Sequence, residues 1–222
     1  MGSISSEIER LHALLPEGVD LVAVSKFHPA EAVMEAYRAG QRIFGESRVQ
    51  ELLQKIPLLP SDIRWHFIGH LQTNKVRQLI GHVSMIESVD SERLLELIDV
   101  ESRRAGVITG VLMQVHVARE ETKFGFSPEE LIAFFSERKF ESLTHTHIYG
   151  VMGMASNTGD EDRIRADFSR ISEVARTIKE ICPELRGFDT ISMGMSGDWP
   201  LAIEEGSTLV RVGTAIFGPR NY

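Results

Sequence analysis

Lys26 is the residue of this sequence whose type and position carry the clearest chemical potential. It follows the mostly apolar run VAVS at positions 22–25, so its amine would lie where a predicted strand ends. An amine partly removed from water loses its proton more readily than the ordinary pKa of ~10.4 implies, and a lysine that condenses with an aldehyde needs that loss. The alternative is a lysine whose stem packs at the strand end while its ammonium group stays in water.

Two segments near the end of the chain contain the small residues and hydroxyls of a phosphate site. Gly194, Ser196 and Gly197 precede a predicted helix. Gly213 and Thr214 follow an apolar run further along. A helix N-terminus exposes unpaired backbone N–H groups, and the two hydroxyls would add further donors. Each segment alone is equally consistent with an ordinary turn, but the two together favour a phosphate pocket.

Arg211 lies between Val210 and Val212 in an apolar run. A guanidinium buried in such a run needs a partner to offset its desolvation. One candidate partner is a neighbouring carboxylate such as Glu46. The other is a bound ligand that offers a hydrogen-bond acceptor, because arginine donates hydrogen bonds and cannot accept them.

Eight β-rich apolar segments alternate with helical patterns along the whole chain. Strands are predicted at 20–25, 42–44, 64–68, 85–89, 111–117, 147–152, 190–193 and 209–216. Helices are predicted to begin near positions 29, 46, 74, 91, 127, 160 and 198, and an extra helix over 5–15 precedes the first strand. This alternation predicts the α/β class and a single (β/α)8 TIM-type barrel domain over residues 1–222. An open doubly wound sheet is the alternative, but its glycine-rich turn after the first strand is missing.

Such a barrel would bring the candidate residues to one end. In (β/α)8 barrels the reactive residues lie at the C-terminal ends of the strands, and phosphate sites form from the loops after strands 7 and 8. Lys26 directly follows the first predicted strand, Ser196 follows the seventh and Thr214 belongs to the eighth. The sequence therefore predicts an amine and a phosphate pocket at the same mouth.

Composition narrows the function classes. The 222 residues are 42% hydrophobic and 25% charged with a net charge of −8, which argues against a nucleic-acid surface. A single cysteine, Cys182, fits a reducing compartment, and neither a signal-peptide pattern nor a membrane-length apolar run is found, so a cytoplasmic location is predicted.

His145 and His147 share a spacing that could chelate a metal, but no Cys or Asp completes a pattern, and core or strand-end histidines are predicted instead.

Six segments together resemble one known family. They read AVSK at 23–26, FGESRVQE at 44–51, WHFIGHLQTNK at 65–75, GVMGM at 150–154, SMGMS at 192–196 and GSTLVRVGTAIFG at 206–218. In this order they are similar to the YggS/PROSC family of pyridoxal 5'-phosphate (PLP) binding proteins, which is related to the N-terminal barrel of alanine racemase. The resemblance extends from about position 21 to position 222.

The resemblance implies PLP as the cofactor and a role for each motif residue. Lys26 would hold the cofactor as an internal aldimine, Ser196, Gly213 and Thr214 would bind its phosphate, and Arg211 would lie near the ring nitrogen. That nitrogen would then stay unprotonated and the ring would be a weaker electron sink.

Three positions depart from the family pattern. Ser47 stands where Asn is common, so this cofactor-binding position would reach the ring oxygen with a shorter side chain, through water. His28 stands where a second lysine usually follows, and His116 where an Asn often ends strand 5. Lys75 and Lys123 remain as alternative second lysines.

The predicted function is a PLP carrier or buffer for PLP homeostasis, with little or no catalysis. Its predicted partners are PLP and PLP-dependent apoenzymes, without nucleic acid or membrane, and it is predicted to be a monomer. The alternative is a weak PLP-dependent amino-acid racemase, although alanine racemase needs a second domain with a catalytic tyrosine, and this sequence ends at Tyr222. A third possibility is a barrel isomerase that binds a phosphorylated sugar, which would leave Lys26 without a role.

Overall fold

The protein, as a computed structural model, is described over residues 2–118 and 124–219. Within these residues eight parallel strands close into a barrel in the order of the chain, each hydrogen-bonded to the next and β8 to β1. The strands are β1 Asp20–Val24, β2 Ile43–Glu46, β3 Arg64–Phe67, β4 Met85–Val89, β5 Thr109–Val115, β6 Thr146–Gly153, β7 Thr190–Ser192 and β8 Leu209–Val212. The predicted (β/α)8 barrel is confirmed.

Helices follow the strands and cover the outside of the barrel. They are α1 Ile4–Leu14, α2 Ala30–Arg38, α3 Val49–Lys55, α4 Val76–Leu79, α5 Glu92–Ala105, α6 Pro128–Ser136, α7 Glu161–Ile181, α8 Trp199–Glu204 and α9 Thr214–Phe217. Short 3-10 segments lie at Ile56–Leu58, Thr73–Lys75 and Lys139–Ser142. The extra N-terminal helix is present as α1, and no helix in the described ranges is long and apolar enough to cross a bilayer.

Side-chain alternation divides the core into two layers, because successive residues of a strand face opposite sides of the sheet. Val22 and Val24 face the barrel interior, where they pack with residues of other strands such as Leu112. Ala23 and Phe44 face outward and pack beneath the helices. On β8, Arg211 is paired in register with Val22, so it too belongs to the interior layer.

Local sequence signals set several helix starts. The side chain of Ser91 accepts a hydrogen bond from the Leu94 N–H at the start of α5. Ser127 and Glu130 form a capping box around Pro128 at the start of α6. The Asp160 side chain accepts from the Arg163 N–H at the start of α7. These caps satisfy N–H groups that the helix itself leaves unpaired, which is why the residue types alone predict the starts.

The two largest errors in the predicted boundaries lie near the mouth of the barrel. The helix predicted near Glu46 begins at Val49 instead, because Glu46 is the last residue of β2. The strand predicted over 209–216 stops at Val212, and Thr214–Phe217 forms the short helix α9. The interrupting residue is Gly213, whose φ of −120° and ψ of −74° fit neither a strand nor a helix.

Candidate functional site

A cavity of about 230 Å³ opens at the C-terminal ends of the strands. It is lined by Val24, Lys26, His28, Ile68, Met154, Met195, Ser196, Gly197, Arg211, Gly213, Thr214 and Gly218. Five of the six predicted cofactor-binding residues therefore line one cavity, and Ser47 does not. The cavity combines an amine, hydroxyls and a guanidinium with apolar walls, which is the usual character of a small-molecule site.

Lys26 enters this cavity from a tight turn that follows β1. The Ser25 N–H still donates to the Gly45 carbonyl of β2 at 3.0 Å, as the last bond of the strand pair. The His28 N–H then donates back to the Ser25 carbonyl at 3.1 Å and closes the turn. Phe27, inside the turn, has a φ of +68°, which residues with a Cβ rarely adopt. The chain therefore leaves the strand at Lys26 in a strained and defined conformation.

The loops after β7 and β8 form a cradle of hydrogen-bond donors. The Ser196 hydroxyl accepts from the Gly213 N–H at 3.2 Å and from the Ala215 N–H at 3.4 Å, which ties the two loops together. In the described part of the chain, the backbone N–H groups of Ser196, Gly197 and Thr214 donate to no protein acceptor. Unpaired N–H groups around a cavity suit an anionic group that carries several acceptor oxygens.

Gly213 permits the close approach of β8 to β1 at this cradle. A Cβ on Gly213 would lie 3.2 Å from both the Cβ and the carbonyl oxygen of Val24. That spacing is tighter than ordinary van der Waals contact, so a side chain here would push the cradle away from the turn that carries Lys26.

Arg211 is almost fully buried and forms a polar network across the barrel. One Nη donates to the Ser192 hydroxyl, the other donates to the Gly153 carbonyl at 2.9 Å, and the Glu87 carboxylate lies 3.7 Å away. A carboxylate partner, one of the two alternatives that the sequence left open, is therefore present, but it is Glu87. The suggested residue, Glu46, is wrong because it faces the outer side of the sheet and pairs with Lys55. Since Arg211 also lines the cavity, the network links the barrel core to the site.

Glu87 is the centre of that network and lies wholly inside the barrel. Its carboxylate is 2.6 Å from His66 Nδ1 and accepts from the Ser192 hydroxyl at 2.6 Å. Burial alone would raise the pKa of Glu87, but the hydrogen bond and charge of His66, the charge of Arg211 and the Ser192 hydroxyl outweigh it. The pKa of Glu87 therefore lies below its usual value of 4.5, and Glu87 is an anion at neutral pH.

We expect this network to make stability depend on pH on the acid side. Because the pKa of Glu87 is lower in the folded chain than in the unfolded chain, its contribution is present above pH 4.5 and is lost as the pH falls through the folded value. Urea unfolding from about pH 3 to about pH 7 measures it. Glu87→Gln should reduce the slope below pH 4.5 by up to ~1.4 kcal/mol per pH unit. Equal slopes in the two proteins would contradict this role for Glu87.

The residues that depart from the family pattern occupy different places. Ser47 follows β2, is half-buried, and packs its backbone against Gly69, where an added Cβ would overlap the Ser47 carbonyl oxygen. His28 lines the cavity and stacks on the Phe217 ring at 5.2 Å between centroids. The Nδ1 atom of His116, just after β5, is buried without a hydrogen-bond partner among the described residues.

The two alternative second lysines lie elsewhere. Lys75 belongs to the 3-10 segment that follows β3 and does not line the cavity. Lys123 is outside the described residues.

Sequence reasoning missed Glu87 and Ser192 as parts of the site. Both lie on predicted strands, and a carboxylate in the middle of the mostly apolar run MIESV at 85–89 was a usable signal. A buried carboxylate needs a cationic or hydrogen-bonding partner, so its presence on a core strand pointed to a polar network inside the barrel.

Comparison with known proteins identifies a family and its structural relatives. The family model described as "Alanine racemase, N-terminal domain" matches residues 1–221. A pyridoxal phosphate homeostasis protein from Haemophilus influenzae is 38% identical over 207 residues, which cover 92% of this chain and 86% of the relative. A protein of the same name from Mus musculus is 39% identical over 234 residues, which cover 99% of this chain and 82% of the relative.

Solved structures agree with this relationship. PipY of Synechococcus elongatus, 39% identical, superposes with a TM-score of 0.93 in its form without PLP and 0.90 in its form with PLP bound, each covering 97% of this chain and 100% of PipY. Alanine racemase from E. faecalis, 17% identical, superposes with a TM-score of 0.71 and covers 97% of this chain and 57% of that protein. The second likeness shows a shared fold alone.

Proposed function

Because this chain belongs to the alanine racemase N-terminal domain family, within its YggS/PROSC branch, we propose that it binds PLP at the mouth of the barrel. It stores and releases the cofactor and catalyses little or no reaction, a role that agrees with the name pyridoxal phosphate homeostasis protein of its relatives. The observation that carries this proposal is the cavity that Lys26 shares with the donor cradle of Ser196, Gly197 and Thr214.

The described residues fit PLP at each of its functional groups. When bound, PLP supplies an aldehyde that reacts with primary amines and a pyridine ring that withdraws electrons. Lys26 offers the amine. The three unpaired N–H groups, with the hydroxyls of Ser196 and Thr214, offer donors for the phosphate oxygens. Apolar side chains such as Ile68 and Met154 line the remaining wall for the ring.

The hydrogen-bonding properties of the Arg211 guanidinium favour storage of the cofactor over catalysis. Its guanidinium donates hydrogen bonds and accepts none, so an arginine that faces the pyridine nitrogen keeps that nitrogen unprotonated. Racemisation also needs a base on each face of the substrate. Tyr37 and Tyr149, the two tyrosines in the described ranges, lie away from the cavity: the Tyr37 hydroxyl donates to Asp62 at 2.8 Å, and the Tyr149 ring packs on His147.

The stored cofactor is passed on to other proteins. PLP-dependent apoenzymes are the natural acceptors, and the chain acts as a monomer in the cytoplasm. Cys182 is the single cysteine of the chain and its thiol is free, which suits a reducing compartment.

Ser196→Ala tests the phosphate cradle and, with it, the proposed ligand. We expect the variant to bind PLP about tenfold more weakly than the parent chain, because it loses one hydrogen bond to a charged group. Its affinity for pyridoxal, which lacks the phosphate, should change less than ~2-fold. Equilibrium titrations followed by absorbance measure both, with the exposed Ser136→Ala on α6 as a matched control.

Two results would contradict the proposal. A parent chain that takes up no PLP and stays colourless would refute PLP storage and favour a sugar-phosphate ligand. A Ser196→Ala variant that loses PLP and pyridoxal equally would refute the phosphate cradle as assigned.

A further inference from the structure

A buried ion cluster lies directly behind Lys26, on the outer side of the barrel wall. Lys55, the last residue of α3, is its centre. Its Nζ donates to Glu46 Oε1 at 2.6 Å, to Glu51 Oε1 at 2.7 Å and to the Ser25 carbonyl at 2.9 Å. We call Glu46, Glu51 and Lys55 the Lys55 cluster.

The Lys55 cluster holds the backbone on both sides of Lys26. Before Lys26, the Ser25 carbonyl accepts from Lys55 and the Ser25 hydroxyl donates to Glu46 at 2.7 Å. After it, the Phe27 N–H donates to Glu51 Oε1 at 2.6 Å. Lys26, whose amine enters the cavity, lies between these anchors. The Lys55 cluster therefore fixes the backbone from which the Lys26 side chain extends.

The hydrogen bond from the Phe27 N–H to Glu51 stabilises a strained backbone conformation. A φ of +68° is unfavourable in a residue with a Cβ and persists only where the surroundings enforce it. A charge-assisted hydrogen bond to the Phe27 N–H is one of the stronger contacts available for that purpose. Glu51 is therefore placed to keep the turn in the conformation that directs Lys26 into the cavity.

Burying the charges of the Lys55 cluster costs free energy, so stability alone does not explain the cluster. The Glu46 side chain is fully buried and that of Lys55 is 7% exposed. Burial raises the pKa of Glu46 despite Lys55 and Ser25, and its Oε2 is buried without a hydrogen-bond partner in the described ranges. Well-packed apolar residues often stabilise such a position as well as an ion pair does. A specific geometric task explains the ions better than stability does.

We propose that Glu51 and Lys55 are positioning residues that hold the Lys26 amine where it meets the aldehyde of PLP. In that reaction the neutral Lys26 amine forms a carbon–nitrogen double bond with the aldehyde carbon, the carbon–oxygen double bond breaks, and the oxygen leaves as water with the two hydrogens of the amine. Neither residue lines the cavity, so both act through Lys26. The inference rests on the proposed function and adds that covalent capture depends on this cluster separately from the phosphate cradle.

Glu51→Ala tests the inference with two ligands, PLP and pyridoxine 5'-phosphate. The second ligand keeps the ring and the phosphate but has an alcohol in place of the aldehyde, so Lys26 cannot capture it. We expect Glu51→Ala to weaken PLP binding about tenfold and to change pyridoxine 5'-phosphate binding less than ~2-fold. General damage to the fold would weaken the binding of both ligands.

Three further variants sharpen the comparison. Glu51→Gln keeps an oxygen that accepts from the Phe27 N–H, so it should restore PLP binding to within ~2-fold of the parent chain. Gln50→Ala, at the exposed neighbouring position of α3, is the matched control and should bind both ligands normally. Lys55→Met should reproduce the ligand-specific loss of Glu51→Ala, with urea unfolding as the check that it is folded.

The possible results separate the two proposals. A parent chain that binds no PLP refutes the proposed function and this inference with it. If the parent chain binds PLP, two results for Glu51→Ala overturn the positioning role alone. The variant binds PLP as well as the parent chain does, or it loses affinity for both ligands equally. A loss confined to PLP supports it.

Discussion

Lys26→Ala is expected to abolish stable retention of PLP. The parent chain should stay yellow through gel filtration, because the bond to Lys26 must break before PLP can leave. The variant keeps only the phosphate cradle and the ring contacts, so its affinity should fall by ~100-fold or more and its colour should be lost on dilution. Absorbance titration and the colour retained after gel filtration measure the two effects.

Chemical trapping identifies the residue directly. Borohydride reduction of the loaded parent chain should fix the cofactor to the peptide that contains Lys26. Lys75→Ala is the matched control, since Lys75 lies outside the cavity, and it should retain PLP as the parent chain does. Trapping of an equal amount of PLP on another lysine of Lys26→Ala would show that the assignment of Lys26 is wrong.

The second large effect is expected from Arg211→Met, which should lower the free energy of unfolding by about 3 kcal/mol. The substitution removes the cation 3.7 Å from a fully buried carboxylate and leaves Glu87 with fewer partners. The cost comes mainly from the uncompensated charge and not from the lost volume, because methionine fills much of the same space. Urea unfolding measures it.

A double substitution tests that explanation. Arg211→Met combined with Glu87→Gln removes both charges, so the pair should cost less than the sum of the two single substitutions by more than ~1 kcal/mol. Arg176→Met on α7 is the control, since its ion pair with Glu180 joins side chains that are 68% and 62% exposed and contributes less than ~1 kcal/mol. Additive single effects would show that Arg211 and Glu87 do not depend on each other.

Features that depend on neighbouring residues could be predicted from the sequence. The alternation of strands with helices, the caps at Ser91, Ser127 and Asp160, and the small residues after strands 7 and 8 are local patterns. Once the barrel is inferred, its geometry places every strand end at one mouth. Lys26, Ser196 and Thr214 could therefore be predicted to line one cavity, and they do.

Features that depend on contacts between distant strands could not be predicted in this way. The sequence suggested Glu46 as a partner for Arg211, but Arg211 lies inside the barrel near Glu87, whereas Glu46 lies outside it and pairs with Lys55. The side of the sheet on which a side chain falls changes with a shift of one residue along a strand. The boundary errors at Glu46 and after Val212 are three and four residues, which is more than that shift, so the local pattern was insufficient.

The order of the elements, the amine at position 26 and the donor-rich loops were thus determined by the sequence, through propensities and spacing that act within a few residues. The tertiary structure alone decided the buried partners. Glu87, Ser192 and Arg211 come from three different strands, and the anchors of Lys26 come from β2 and α3. Closure of the barrel sets which polar groups meet, and the cost of burying an unpaired charge then selects the pairs that persist.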